Sequence, residues 1–264
     1  MRVSVIIAAY NCEQVIGEAI ESILNQSFKD WEVIICDDAS TDNTAGVIEE
    51  YTRRDSRIKV LRNHENMKAA YTRNRCIEVA NGEYIAIEDA DDWSIPDRLE
   101  KQVKYLDENI HIDFVGTGDI SFDENGVLSK KLEKELPNRK DFLWSFPFSH
   151  PSMMFRKTVL QEVGGYRVSH ETVRGQDADM VMRMYAKGFN GANIQEYLHN
   201  YREDKAAFKR RTLKYRLTAA KVNGARFKEM GLMPLGYIFM WKTIFGGLVP
   251  RKLLVMLRKW RKTY

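Results

Sequence analysis

The first hundred residues alternate between short apolar runs and amphipathic segments. The apolar runs predict strands that are buried on both faces, and they lie at residues 3–9, 31–36, 58–61 and 84–87. Apolar residues recur at helical spacing in the intervening segments, which lie at residues 13–26, 41–51 and 69–80. Repeated strand–helix units of this size predict an α/β fold with a Rossmann-like, mostly parallel and doubly wound sheet.

After Pro96 the pattern changes. Pro96 predicts the first turn of a helix that runs to residue 108, and two strands at 113–121 and 127–129 flank a predicted turn. A further amphipathic helix is predicted at 177–187. We therefore predict two halves of one catalytic domain, residues 1–100 and 101–204, followed by a helical tail. The second half is expected to cover the ligand-binding edge of the first.

The predicted tail, residues 205–264, is basic and amphipathic. Residues 231–250 carry one charge, Lys242, among many apolar and aromatic residues, but Pro and Gly residues interrupt them. A stretch of this kind favours a segment that lies in a membrane interface over one that spans the bilayer. The alternative is that the tail packs as a helical lid on the catalytic body.

The formal net charge of +4 conceals an uneven distribution. The tail has sixteen Lys or Arg residues and one acidic residue, Glu229, whereas the rest of the chain has 25 basic and 36 acidic residues. This split indicates an acidic catalytic body with a basic tail that contacts an anionic membrane surface. The three cysteines form no CxxC pattern, and no signal peptide is predicted, so we expect a cytoplasmic protein at the inner face of the cell membrane.

The most informative motif is an acidic loop, Asp89-Ala90-Asp91-Asp92, which directly follows the fourth predicted strand. The carboxyl ends of such strands are where open α/β sheets bind their ligands. Clustered carboxylates suit Mg²⁺ or Mn²⁺, which typically also contacts substrate phosphates. Taken alone, the same pattern fits a solvated turn or a helix cap.

Three other clusters change that interpretation. Ala8 to Asn11 ends the first predicted strand, the acidic run 37–42 ends the second, and Arg73 lies in the third predicted helix. The first two clusters and the acidic loop should meet at one edge of the sheet. Carboxylates there can accept hydrogen bonds from a base or ribose, and Lys68 and Arg73 add positive charge near phosphates.

These motifs resemble those of glycosyltransferase family 2. The resemblance rests on residues 3–11, 26–35, 37–42 and 82–96, and with motifs in the second half it covers about the first two hundred residues. It implies a GT-A fold and an inverting enzyme that uses a nucleotide-sugar donor. By that resemblance Tyr10 contacts the base, Asp38 binds the uracil or ribose, and Ala8 offers only its backbone.

The resemblance also assigns residues to the binding of the metal and of the diphosphate. It places Asp91 on Mn²⁺ or Mg²⁺, and Asp89 close to the ribose or sugar as a second candidate ligand. Arg73 belongs to the donor site. Lys68 stands where the family commonly has glycine, and it is a candidate for a contact with the base or the diphosphate.

The motifs at 150–156, 164–166 and 176–183 resemble the acceptor half of bacterial polysaccharide transferases. The resemblance implies that Asp177 is the general base, which takes the proton of the acceptor hydroxyl. Gln176 replaces the usual Glu beside it and is an acceptor-binding candidate. Asp177 is also a candidate helix N-cap, and the two roles are compatible.

Three further residues keep two interpretations each. His150 is either an acceptor or diphosphate contact or a buried structural residue. Trp93 is either an acceptor wall or part of the core. His199 either approaches the metal site or has a structural role at the end of a strand.

The sequence therefore predicts a glycosyltransferase that moves a sugar, most plausibly from a UDP-sugar, to a glycan or lipid-linked saccharide of the cell surface. The alternatives are a sugar-phosphate nucleotidyltransferase and a non-enzymatic protein that binds an anionic surface or nucleic acid through the tail. A nucleotidyltransferase would need a glycine-rich basic loop after the first strand, and none is present there. We expect no nucleic-acid partner.

Overall fold

The computed structural model describes residues 1–203 and 213–245. Of the predicted helical tail, residues 205–264, the parts at 205–212 and 246–264 lie outside the described residues.

The first half follows the predicted alternation of strands and helices. Its elements are β1 (Val3–Ala9), α1 (Ile16–Leu24), β2 (Trp31–Asp37), α2 (Thr44–Arg54), β3 (Ile58–Arg62), α3 (Lys68–Val79) and β4 (Tyr84–Asp89). The third helix begins at Lys68, whose φ of +71° is the left-handed conformation that favours glycine. This conformation accounts for glycine at the corresponding position of the family pattern.

The second half adds five strands and three α-helices before the hairpin at the end of the described chain. Its elements are β5 (Trp93–Ser94), α4 (Arg98–Glu108), β6 (Phe114–Asp123), β7 (Gly126–Lys131), β8 (Met154–Arg156), α5 (Lys157–Val163), α6 (Gln176–Lys187), β9 (Gly191–Arg202), α7 (Leu213–Glu229) and α8 (Leu235–Phe245). Two 3-10 helices, Arg139–Leu143 and His150–Ser152, precede β8. β5, α5 and β9 were not among the elements predicted from the sequence.

All nine described strands form one sheet in the order β3-β2-β1-β4-β8-β6-β9-β5, with β7 paired to β6. The first four strands are parallel, and β6 pairs in parallel with β9. β8 joins the halves through antiparallel pairing with both β4 and β6. The predicted α/β, GT-A fold class is confirmed.

Helices cover both faces of the sheet, so the central strands are buried on both sides. Along β1, Ile6 packs in one apolar cluster with Met180 of α6, whereas Val5 and Ile7 pack in another with Ile20 of α1. Alternate side chains therefore enter different cores, and both sets must be apolar. This double burial explains why the strands appear in the sequence as unbroken apolar runs.

The described part of the tail is a helical hairpin that packs on the catalytic body. Phe227 and Phe239 belong to the same apolar cluster as Met180, and Arg226 Nε of α7 lies 3.4 Å from Asp179 Oδ1 of α6. Within residues 1–203 and 213–245, the helices are all too short or too polar to cross a membrane.

Candidate active site

The predicted clusters meet at the carboxyl edge of the parallel strands. In the sheet register, Ala8 of β1 lies beside Asp89 of β4, and Ala9 lies beside Asp37 of β2. Because parallel strands share a direction, their ends bring polar residues together without further loop rearrangement. Asp89 is the last residue of its strand and Asp91 lies in the turn that follows.

One cavity, the Asp91 cavity, opens at this edge with a volume of about 340 Å³. It includes five of the predicted donor-site residues. They are Ala8, Tyr10, Arg73, Asp89 and Asp91. Asn11 and Cys12 complete the wall formed by the chain after β1.

A second cavity, the Asp177 cavity, has a volume of about 390 Å³. Its lining includes His150, Gln176 and Asp177, together with Arg73 and Asp89. The two cavities adjoin, since Arg73 and Asp89 line both. The structure thus places the predicted metal ligand and the predicted base on either side of one ion pair.

That ion pair is formed by Arg73 Nη2 and Asp89 Oδ1, which are 2.5 Å apart. Burial would raise the pKa of Asp89, but the Arg73 guanidinium outweighs burial and holds that pKa below its usual value. Asp89 is therefore ionised and Arg73 is fixed at the boundary between the cavities. A cation in this place faces any phosphate that enters from the Asp91 cavity.

Negative charge is disfavoured on the other two carboxyl groups of the acidic loop. Burial raises the pKa of Asp91, and the Asp89 charge raises it further. Burial, with Asp89 and Asp91, raises the pKa of Asp92 to about 10. Asp92 Oδ2 is buried without a hydrogen-bond partner, while its Oδ1 accepts a 2.7 Å bond from the backbone N–H of Arg202.

This loop fits a divalent cation that substrate oxygens help to hold. Within residues 1–203 and 213–245 the structure has no group of three His, Cys, Asp or Glu residues that forms a complete metal cage. Mg²⁺ and related ions commonly take only one or two protein carboxylates and complete their coordination with phosphates and water. A cation beside Asp91 would also offset the burial and the carboxylate repulsion that raise the pKa of Asp91 and Asp92.

A buried charge network, which no sequence pattern predicted, lies beneath the acidic loop. Glu88 and Arg98 are both fully buried, and Arg98 Nη1 donates to Glu88 Oε2 at 2.7 Å. His199 Nε2 lies 3.2 Å from Glu88 Oε1 and 3.9 Å from Asp92 Oδ2. His199 therefore lies beneath the acidic loop, in contact with its supporting network.

Three predicted site residues lie outside the lining of both cavities. Asp38 accepts hydrogen bonds from the backbone N–H groups of Met67 and Lys68, at 2.8 and 2.9 Å, and so anchors the chain before α3. The Trp93 ring packs 4.0 Å from the Phe122 ring, between centroids. Trp93 is half-buried, so both of its interpretations stay predictions, as do the donor roles of Asp38 and Lys68.

Asp177 is the second residue of α6, and Gly175 occupies the N-cap position. The interpretation of Asp177 as the N-cap is therefore wrong, and its carboxylate remains part of the cavity lining. Nearby, His150 Nε2 lies 2.7 Å from the Tyr166 hydroxyl. Burial, with the Arg73 charge, lowers the pKa of His150 to about 4.

Several cavity residues had no signal in the sequence. Asp119 and Lys131 are paired across β6 and β7, and Arg174 and Tyr201 reach the same cavity from other segments. Asp119 also lies beside His199 in the sheet register. Alternation along β6 could have marked Asp119 as a polar residue within a buried strand, but its cavity position depends on distant pairing.

The fold and the two adjoining cavities fit the predicted class of protein, a glycosyltransferase with the GT-A fold. Residues 4–164 match the model of Glycosyl transferase family 2. The chain belongs to this family. The predicted family and enzyme class are confirmed. Neither the nucleotidyltransferase nor the non-enzymatic alternative fits this family.

Two relatives show how far the similarity extends. The chain is 40% identical over 250 residues to "Putative glycosyltransferase EpsE" of Bacillus subtilis (strain 168), covering 94% of this chain and 90% of the relative. It is 28% identical over 240 residues to the UDP-Glc:alpha-D-GlcNAc-diphosphoundecaprenol beta-1,3-glucosyltransferase WfaP of Escherichia coli, covering 86% and 82%.

Two solved structures share the fold at low sequence identity. S. aureus TarS 1–349 in complex with UDP-GlcNAc superposes with a TM-score of 0.74 at 18% identity, covering 96% of this chain and 77% of that one. The mannosyltransferase PcManGT from Pyrobaculum calidifontis, in complex with GDP-Man and Mn²⁺, gives 0.62 at 18% identity, covering 99% and 80%.

Proposed function

We propose that this enzyme transfers a sugar, with inversion, from a UDP-sugar to a glycan or lipid-linked saccharide in cell-surface polysaccharide biosynthesis. The observation that carries the proposal is the Arg73–Asp89 ion pair shared by the Asp91 and Asp177 cavities. A donor diphosphate on the Asp91 side and an acceptor on the Asp177 side would bring the anomeric carbon to the boundary between them. UDP-Glc in the name of WfaP and UDP-GlcNAc bound to TarS support the donor class.

In this mechanism the chain's own groups position the donor and move one proton. Arg73 contributes positive charge beside the departing diphosphate, and its pairing with Asp89 prevents it from moving away. The Asp177 carboxylate accepts the acceptor hydroxyl proton as that oxygen attacks the anomeric carbon from the face opposite the diphosphate. Mn²⁺ or Mg²⁺, held by Asp91 with Asp89 nearby, would neutralise the leaving group.

The experiment that tests this assignment separates donor binding from transfer. Asp91→Ala should abolish Mn²⁺-dependent UDP binding in calorimetry. Asp177→Asn should keep UDP binding and lose transfer by about 10²–10⁴-fold, the usual contribution of a general base. Asp97→Asn, a change in a half-exposed carboxylate that pairs with Lys101 and lines neither cavity, is the matched control and should alter neither quantity. UDP affinity unchanged in Asp91→Ala, or wild-type turnover in Asp177→Asn, would contradict the assignment.

The proposal includes a peripheral position at the inner face of the cell membrane. The α8 helix exposes four large residues, Leu235, Tyr237, Ile238 and Trp241, at 47%, 58%, 64% and 56%. Aromatic and aliphatic side chains beside Lys and Arg favour insertion into an anionic interface. Ile238→Ser with Trp241→Ser should reduce sedimentation with phosphatidylglycerol vesicles, whereas exposed Ile110→Ser on the catalytic body should not. Equal sedimentation of all three proteins would contradict the proposal.

A further inference from the structure

Two shallow grooves continue the Asp177 cavity toward α8. The first, the Lys214 groove, has a volume of about 330 Å³ and shares Val173 and Arg174 with the Asp177 cavity. The second, the Trp144 groove, has a volume of about 320 Å³ and shares Tyr215 with the first. These shared residues place the two grooves as a path of neighbouring cavities between the Asp177 cavity and the C-terminal hairpin.

The charged side chains that line the path are mainly positive. Arg174 and Lys214 line the Lys214 groove, and Arg216 and Lys242 line the Trp144 groove. The acidic residue in these linings is Glu171. Its carboxylate lies 2.7 Å from Lys221 Nζ and 3.8 Å from Arg167 Nη1. The two linings together contain four Lys or Arg residues and one Glu, so the path carries net positive charge.

The walls of the path are held by packing between α6, α7 and α8. Arg226 of α7 pairs with buried Asp179 of α6. The rings of Trp144 and Phe239 meet edge to face, with centroids 4.9 Å apart. Gly224 lets α8 approach α7, because a Cβ at that position would lie 2.6 Å from Met240 Sδ. The grooves are thus formed by docked elements rather than by an isolated loop.

The far end of the path opens beside exposed apolar side chains. Trp144 is 57% exposed, and Lys242 Nζ lies 4.7 Å from the centroid of its ring. Trp241, on the same helix as Lys242, is also exposed. A ligand that follows the path would therefore meet a sugar site, then cationic side chains, then an apolar surface.

We infer that the Lys214 and Trp144 grooves bind the diphosphate and first lipid segment of a lipid-linked acceptor. The order of chemistry along the path matches a saccharide, a diphosphate and an alkyl chain. A neutral lipid would not require the cations, and inorganic phosphate would not require the apolar end. The inference rests on the proposed function, because it extends the acceptor side of the same site.

The test uses the full chain and farnesyl diphosphate, below its micelle concentration, as a probe. Calorimetry is done with saturating UDP and Mn²⁺, so that the Asp91 cavity is not available to the probe. We expect binding that is at least about tenfold tighter than that of either farnesol or inorganic pyrophosphate, since both parts of the ligand contribute. Lys214→Glu with Arg216→Glu should weaken probe binding by at least about tenfold.

The control is Lys104→Glu, in a residue of α4 whose side chain is 71% exposed. It should leave probe binding unchanged, and UDP affinity should be the same in all the proteins. Unchanged probe binding in the groove variant would overturn the inference. So would equally tight, Lys214-dependent binding of polygalacturonate, an anionic glycan without a lipid. Normal UDP binding without probe binding would refute this inference alone, whereas loss of UDP binding in the wild type would refute the proposed function.

Discussion

Arg98 should be among the most costly residues to replace, although it makes no contact with either cavity. Its side chain is fully buried and donates to Glu88 Oε2 at 2.7 Å, to Ser94 Oγ at 2.6 Å and to the Ile87 carbonyl at 2.7 Å. Arg98→Met keeps most of the side-chain length but removes the charge and every donor. Glu88 would then remain in the interior without its cation.

The expected loss of unfolding free energy is about 3–5 kcal/mol, the usual effect of removing one partner of a buried ion pair. That is a large fraction of the ~5–15 kcal/mol that stabilises a typical domain. The double variant Glu88→Gln, Arg98→Met removes both charges, and the Gln side chain can still bond to Ser94 and His199. It should therefore recover most of the loss.

The assay is urea unfolding followed by circular dichroism, with the slope m compared among variants. The matched control is Lys104→Met in the same helix. Lys104 pairs with Glu108 at 3.9 Å, and their side chains are 71% and 62% exposed. Loss of that surface pair should cost no more than about 0.5 kcal/mol. The reasoning is refuted if Arg98→Met loses less than about 1 kcal/mol at unchanged m, or if the double variant is no more stable than the single one.

Three further predictions concern acid stability and packing. Burial disfavours the Glu32 charge, but hydrogen bonds outweigh it and hold the Glu32 pKa at about 2 against 4.5. Wild-type stability should therefore fall between about pH 4.5 and 2, and less steeply in Glu32→Gln. Burial, with a nearby cation, lowers the His150 pKa from 6.5 to about 4. The unfolded chain then binds the proton first, so urea titrations between those values should lose stability on acidification, but not in His150→Gln. A Cβ at Gly82 would lie 2.4 Å from the backbone N of Ser4, so Gly82→Ala should cost about 1–3 kcal/mol in urea unfolding.

The sequence was sufficient to predict the parallel half of the fold, because burial on both faces gives each strand a simple apolar pattern. Both faces of β1 and β2 are covered, so their runs are continuously apolar and their ends are easy to locate. Once the ends were located, parallel pairing implied that Ala8 and Asp89 would be neighbours. The positions of Tyr10, Arg73 and Asp91 at the Asp91 cavity follow from this geometry.

The second half was harder to predict because its pairing is distant in sequence. The long strand β9 mixes apolar residues with Asn, Gln and Glu, and its partner β6 lies about seventy residues earlier. The resulting neighbours, Asp119 and His199, have no shared motif. Arg98 likewise appears in the sequence as one charged residue of an amphipathic helix, and only the packed structure shows that its partner Glu88 is equally buried.

The hairpin at the end of the described chain shows the limit of a periodicity argument. Nearly every residue of α8 is apolar, so the helix has no polar face from which its orientation can be predicted. Packing decides the orientation, since Phe239 enters the core while its neighbour Ile238 is exposed. The two interpretations of the tail are therefore not exclusive. One face of α8 packs as a lid on the catalytic body, and that same packing presents Ile238 and Trp241 outward beside the cationic grooves.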